Sequence, residues 1–130
     1  MKIMVGYDGT KDSKTALNVA VMHAKAFTGK IFAVASMDRG TEAEQESIKE
    51  MEADLEKVKL EVEDQGVPCE THLLIRGMMP GEDLVDYAQE NGMDEIVIGI
   101  RRRSKVGKLV FGSNAQYVIL HAPCPVTTVK

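Results

Sequence analysis

Long hydrophobic runs are missing from this 130-residue chain, and so is any stretch that resembles a leader. The longest apolar runs span only a few residues, so no segment is predicted to cross a membrane. The chain opens directly on a β-type run, so we expect no signal peptide and a cytoplasmic location. Length and composition are those of one globular domain, which we expect to cover residues 1–130.

Several chemical signatures are also missing. There is no G-x-x-x-x-G-K-[ST] pattern, no G-x-G-x-x-G after the first β-type run, and no G-x-S-x-G. Cys69 and Cys124 form no Cys-x-x-Cys pair, which suits a reducing compartment, and the three histidines lack zinc-ligand spacing. Aromatic residues are scarce, at 5%, and are not interleaved with basic ones. We therefore predict no catalytic residues and no metal ligands, and nucleic-acid binding is not supported.

Acidic residues stop abruptly along the chain. All 20 Asp and Glu lie in residues 1–95, and none lies between Ile96 and Lys130. The acid-free part opens with a segment read as GIRRRSKVGKLVFGSN, from Gly99 to Asn114, which carries five cations: Arg101, Arg102, Arg103, Lys105 and Lys108. This distribution favours a local anion site over a polyanion-binding surface, although a solvated basic turn explains the charges equally well.

Hydrophobic periodicity predicts five strands alternating with four helices. The strands are Ile3–Tyr7, Ile31–Ser36, Cys69–Ile75, Glu95–Gly99 and Pro125–Val129, and the helices are Asp12–Phe27, Thr41–Gln65, Glu82–Asn91 and Ala115–His121. Gly29 is expected to end the first helix, and Gly77–Gly81 to form a turn. Strict alternation predicts an α/β fold with a parallel sheet covered by helices on both faces.

Three residues stand out at the carboxyl ends of the predicted strands, where open α/β sheets bind ligands. Gly112 and Ser113 open the last helix, whose unpaired N–H groups attract phosphate. Asp8 ends the first strand and would point into the same crevice. The alternatives are local: Asp8-Gly9 also suits a turn or a helix cap, and Ser113 a plain N-cap.

Taken in order, four segments of the chain resemble the universal stress protein family. They read IMVGYDG from Ile3, GMDEIVIG from Gly92, GS at Gly112, and HAPCPV from His121. The resemblance implies a Rossmann-like sheet of the adenine nucleotide alpha hydrolase type, with five parallel strands in the order 3-2-1-4-5. It also implies a homodimer joined through the fifth strand, at Val126, Thr127, Thr128 and Val129.

The ATP-binding branch of that family carries G-x2-G-x9-G-[ST] after its fourth strand. Here Gly99, Gly112 and Ser113 match, and Arg102 replaces the second glycine. A bulky residue is strained wherever that position needs a positive φ, whereas a guanidinium there can bind phosphate oxygens in bidentate fashion. Both consequences stay open.

The resemblance implies ATP as the ligand, with Mg²⁺ as its companion cation. Asp8 would contact the nucleoside and Ser36 would line the adenine pocket. The other residues expected to bind the cofactor are Ile98, Gly99, Arg101, Arg102, Arg103, Gly112, Ser113 and Asn114. The leading functional hypothesis is an ATP-binding regulatory protein of the stress response. The alternatives are a nucleotide-free dimeric interaction module, which the altered motif favours, and a slow ATPase.

Overall fold

The computed structural model describes residues 1–37, 42–100 and 112–130, in which five strands alternate with four helices. The strands are β1 (Lys2–Gly6), β2 (Lys30–Ser36), β3 (Cys69–Leu74), β4 (Glu95–Gly99) and β5 (Val126–Val129). The helices are α1 (Lys11–Phe27), α2 (Glu42–Asp64), α3 (Pro80–Glu90) and α4 (Ser113–His121). The predicted order of elements is confirmed.

The strands form one parallel sheet in the order β3-β2-β1-β4-β5, as the resemblance implied. Central β1 is deeply buried, with Ile3, Met4 and Val5 all fully inaccessible to solvent. It pairs with β2 on one side, where Gly6 lies opposite Val34, and with β4 on the other. The switch in strand order beside β1 places a crevice at its carboxyl end.

Alternation along each strand divides the core into two layers. Odd-numbered residues of β1 and β2, such as Val5 and Ala33, pack with α1 and α2. Even-numbered residues, such as Met4 and Val34, pack with α3 and α4. Parity along a strand therefore decides which pair of helices each side chain meets.

The end of α1 differs from the sequence-based expectation. The left-handed residue is Thr28, with φ of 53°, and its N–H donates to the carbonyl of Ala24. Gly29 follows it and is buried, and an added Cβ there would lie 3.0 Å from Cδ1 of Ile3. Gly29 is thus explained by close packing against β1 rather than by helix termination.

α3 and α4 each begin two residues before the predicted start. α3 starts at Pro80, inside the segment predicted as a turn, because proline suits the first helical position, where its missing N–H costs nothing. α4 starts at Ser113 with Gly112 as its N-cap, so the serine is the first helical residue rather than the cap. Both starts lie at the carboxyl end of the sheet.

Cys69 and Cys124 are free thiols, at β3 and just before β5 respectively, on opposite edges of the sheet. Burial raises the pKa of Cys69 to about 11, and burial also raises the pKa of Cys124. Both thiols are therefore protonated near neutral pH and are poor nucleophiles.

In the described parts of the chain, no helix combines the length and apolar character needed to span a bilayer.

Candidate functional site

A cavity of about 540 Å³ opens at the carboxyl ends of β1, β2 and β4. Its floor is a row of three residues on adjacent strands, Val34, Gly6 and Ile98. Gly6 has no side chain, and an added Cβ would lie 3.1 Å from Cγ2 of Ile98 and 3.3 Å from Cδ1 of Leu84. The floor is consequently flat and apolar, and the cavity volume lies within the range of small-molecule sites.

The starts of α3 and α4 form the opposite wall, and one hydrogen bond joins them. The backbone N–H of Gly81 donates to Oδ1 of Asn114 at 2.9 Å. An added Cβ at Gly81 would lie 2.8 Å from the backbone oxygen of Asn114, so the two helices approach as closely as glycine allows. Two helix N-termini, each with a partial positive charge, therefore converge on the cavity wall.

The start of α4 lacks the groups that stabilise the start of α1. Gly112 provides no side-chain cap, and the first turn of α4 carries no acidic residue. By contrast, α1 is capped by the hydroxyl of Thr10 and has Asp12 in its first turn. The backbone of Gly112 has an ordinary φ of −60°, and nothing described lies within 4 Å of the position that a Cβ would take. Gly112 therefore serves as an N-cap, a position that glycine suits, and leaves open space beside the first turn of α4 among the described residues.

Gly99 is explained by packing. Its missing Cβ would lie 2.6 Å from both the carbonyl carbon and the carbonyl oxygen of Asp12, in the first turn of α1. β4 thus ends directly against the backbone of α1. The first motif glycine sets how closely α1 approaches the sheet, although Gly99 also belongs to the cavity lining.

Asp8 has a structural role as well as a place at the cavity. Its Oδ1 accepts the backbone N–H of Thr10 at 3.0 Å and the Thr10 hydroxyl at 2.5 Å. Thr10 in turn accepts the N–H of Ser13 and caps α1. The turn interpretation of Asp8 is therefore confirmed, while the cap is Thr10, and the exposed Asp8 also lines the cavity.

Ser36 ends β2 beside an ion pair whose carboxylate is buried. Its hydroxyl donates to Oδ2 of Asp83 at 2.6 Å, and the side chain of Asp83 is fully inaccessible to solvent. Nε of Arg76 donates to Oδ1 of Asp83 at 2.5 Å, and Nη2 of Arg76 donates to the Asp83 backbone carbonyl at 3.1 Å. Burial alone lowers the pKa of Arg76, but Asp83, together with Glu90, raises it above its ordinary value.

Tyr7 ties α2 to the end of β1. The phenol donates to Oδ2 of Asp54 at 3.1 Å, and Tyr7 lies in the cavity wall although it is only 3% exposed. Burial, followed by the hydrogen bond and the charge of Asp54, raises the pKa of Tyr7 to about 12. The hydroxyl is therefore protonated throughout the physiological range and acts as a donor.

Six of the residues assigned to ligand binding from the sequence line this one cavity: Asp8, Ser36, Ile98, Gly99, Gly112 and Asn114. Ser113 is exposed in the first turn of α4 and is not among the residues that line the cavity. Arg101, Arg102 and Arg103 lie outside the described residues, as do Lys105 and Lys108.

The sequence did not single out Tyr7, Pro80 or Asp83 as site residues. A proline followed by glycine before an apolar periodic segment is a signal for a helix start, and it would have located the wall at Pro80. Asp83 lies one helical turn before Tyr87 on a buried face of α3. Its partner Ser36 is distant in the sequence and its partner Arg76 is near, and neither spacing forms a recognisable motif.

Within residues 1–37, 42–100 and 112–130, no cluster of three His, Cys, Asp or Glu could hold a metal ion.

Strand order, the crevice beside β1 and the bare start of α4 together define an α/β protein with a ligand cavity at its topological switch point. The profile of the Universal stress protein family matches residues 1–130. A universal stress protein of Thermus aquaticus is 34% identical over 134 residues, covering 98% of this chain and 97% of the relative. The chain belongs to the universal stress protein family.

Solved structures agree with this assignment. A universal stress protein from Archaeoglobus fulgidus superimposes with a TM-score of 0.89 at 37% identity, covering 100% of this chain and 98% of the other. A structure of the Archaeoglobus fulgidus protein in complex with dAMP gives a TM-score of 0.84 at 34% identity, again covering 100% and 98%. That relative therefore binds an adenine nucleotide in this fold.

Proposed function

We propose that this protein is a cytoplasmic regulatory protein of the stress response that binds an adenine nucleotide, ATP with Mg²⁺, in the cavity between β1 and the starts of α3 and α4. The observation that carries the proposal is Gly112. It caps α4 without a side-chain hydrogen bond, in a first turn that carries no acidic residue, and nothing described lies within 4 Å of the place of its missing Cβ. A phosphate that approaches the backbone closely suits such a helix start.

The dAMP complex of the 34% identical Archaeoglobus fulgidus protein supports the same assignment. In our proposal the phosphates lie at the start of α4, against Gly112 and the N–H groups of Ser113 and Asn114. Arg101, Arg102 and Arg103 add positive charge to the phosphate site. Arginine binds phosphate oxygens through charge-assisted, often bidentate hydrogen bonds, and the helix dipole favours the same negative charge. Asp8 contacts the nucleoside, and Ile98 and Gly99 continue the wall behind it.

Titration calorimetry tests the proposal on protein stripped of co-purified ligand, with ATP plus MgCl₂ and with AMP. We expect saturable binding with one site per chain. Ligand at a hundred times its dissociation constant should stabilise the fold by about 2.7 kcal/mol in thermal unfolding. Absence of both heat and stabilisation with either nucleotide overturns the proposal and leaves the nucleotide-free interaction module.

Substitution of Gly112 separates the proposed phosphate site from the rest of the protein. Gly112→Val places a branched side chain where nothing described lies within 4 Å, so the fold should survive while nucleotide affinity falls at least tenfold. Gln116→Ala is the control, because Gln116 is exposed on the same helix and does not line the cavity. Equal affinities for the two variants would remove Gly112 from the phosphate site.

We also propose that the protein forms a homodimer through β5, at Val126, Thr127, Thr128 and Val129. β5 is an edge strand of the sheet, and Thr128 is exposed. An edge strand presents unpaired backbone groups that favour pairing with another chain. In a two-fold arrangement the same strand serves both partners.

A further inference from the structure

A buried carboxylate, held by an arginine on its other side, decides which way the Ser36 hydroxyl can point. A serine hydroxyl has one proton and two lone pairs, and a carboxylate only accepts hydrogen bonds. At 2.6 Å from Oδ2 of Asp83, the Ser36 proton is therefore committed to the carboxylate. Arg76 holds the other carboxylate oxygen, Oδ1, at 2.5 Å, so Asp83 cannot turn away without losing a charged partner.

As a consequence, the hydrogen-bonding role of Ser36 towards a ligand in the cavity is fixed. Ser36 lines the cavity, and with its proton engaged it offers only lone pairs to a ligand. An unassisted serine can rotate to donate or accept, and so distinguishes poorly between the two kinds of ligand group. Here Asp83 and Arg76 act as positioning residues that convert Ser36 into an acceptor.

The surroundings of Ser36 suit a base rather than a phosphate. Val34, two residues earlier on the same face of β2, and Leu84, next to Asp83 on α3, both contribute apolar surface to the cavity. The start of α4 at Gly112, where we place the phosphates, is a different part of the cavity wall.

We propose that Ser36, polarised by Asp83 and Arg76, selects purine nucleotides that carry an amino group at position 6 over those that carry a carbonyl or hydrogen there. This inference rests on the proposed function, since it concerns the base end of the same cavity. The 6-amino group donates to the Ser36 oxygen, whereas a 6-carbonyl places two acceptors against each other. Site groups left without a partner are the usual source of such discrimination.

The test compares three nucleotides of one length: AMP, purine riboside 5′-monophosphate, which has hydrogen at position 6, and IMP, which has a carbonyl there. We expect the wild-type protein to prefer AMP over the unsubstituted purine by about three- to tenfold. Ser36→Ala should bring that ratio close to one, and Ser36→Thr, which keeps the hydroxyl, should retain the preference. Ser47→Ala, at an exposed position on α2, is the matched control.

Asp83→Asn gives a sharper readout, because it reverses the polarity instead of removing it. Arg76 keeps the amide oxygen on its own side, so the amide nitrogen faces Ser36 and donates to it. The serine proton then points into the cavity, and affinity should shift from AMP towards IMP. A change of packing alone does not invert a preference. Thermal unfolding verifies that the variant folds. If it does not fold, Ser36→Ala, Ser36→Thr and Ser47→Ala still test whether Ser36 selects the 6-amino group.

Two negative outcomes are distinguishable. If AMP binds but its preference over the unsubstituted purine is the same in Ser36→Ala as in wild type, the Ser36 inference is wrong and nucleotide binding stands. If no adenine nucleotide binds the wild-type protein, the proposed function fails and the inference fails with it.

Discussion

At the scale of single residues, Gly99 and Gly112 belong to the same motif but lack a side chain for different reasons. A Cβ on Gly99 would overlap the backbone of Asp12, at 2.6 Å, whereas a Cβ on Gly112 would meet no described atom within 4 Å. Gly99 is therefore required by the fold itself. Gly112 is required, in our proposal, by the ligand.

We predict that Gly99→Ala destabilises the protein by about 2 kcal/mol, because backbone atoms of α1 cannot move aside as a flexible side chain can. Urea unfolding measures the change. Gly112→Ala is the matched control and should cost less than about 1 kcal/mol, the usual range for an N-cap residue. A Gly99→Ala variant as stable as wild type would mean that α1 does not rest on β4 at this point.

At the scale of elements, the contact between Tyr7 and Asp54 links α2 to the carboxyl end of β1. α2 is strongly charged, and its buried residues Leu55, Val58 and Val62 hold it to the sheet farther along. The phenol–carboxylate hydrogen bond anchors the helix beside the cavity. It also makes the stability of the fold dependent on pH in the alkaline range.

We predict that the free energy of unfolding falls between pH 10 and 12. Below pH 10 the Tyr7 phenol is protonated in both states, so its contribution is complete. Between 10 and 12 the unfolded chain loses the proton and the folded protein retains it, because the folded pKa is about 12. Rising pH therefore favours unfolding, by about 2 kcal/mol over this window.

Urea midpoints at pH 9, 10.5 and 11.5, compared between wild type and Tyr7→Phe, isolate this contribution from lysine deprotonation. The stability advantage of wild type should shrink as the pH rises. Asp54→Asn should weaken the slope only in part, because burial is the largest cause of the shift. Parallel pH dependences in wild type and Tyr7→Phe would contradict the assignment.

At the scale of the whole molecule, the sheet has two edges, and β5 is the shorter one. The carbonyls of Pro125 and Val129 accept hydrogen bonds from β4, from the N–H groups of Ile96 and Ile100. Backbone groups alternate along a strand, so the N–H groups of Val126 and Thr128 point away from β4. These are the donors that a second chain would meet.

We predict that Thr128→Pro converts a dimer into a monomer, because it removes an outward N–H without removing a bond to β4. Thr128→Ala keeps that N–H and should remain dimeric. Sedimentation equilibrium of both variants and wild type gives the masses directly. A Thr128→Pro protein that sediments as a dimer would exclude β5 pairing as the interface.

The sequence predicted the architecture well because each strand and each helix has its own local pattern of hydrophobic residues. Alternating strands and helices, together with the four matching segments, were enough for the complete strand order. Helix starts were harder, since Pro80 and Ser113 lie in segments rich in turn-forming residues. The contacts of Ser36 could not be predicted, because its partner Asp83 is 47 residues away and is one of 20 acidic residues. The role of the basic residues from Arg101 to Lys108 stays a prediction.

The hydrogen bond between Gly81 and Asn114 has a mechanical consequence. It pins the starts of α3 and α4 together, and moving them apart would leave a backbone N–H unpaired at a cost of about 1–3 kcal/mol. α3 carries Asp83, which accepts the Ser36 hydroxyl, and α4 is capped by Gly112. In the proposed complex the distance between base and first phosphate is therefore fixed, so the cavity would select ligands by length rather than widen for larger ones.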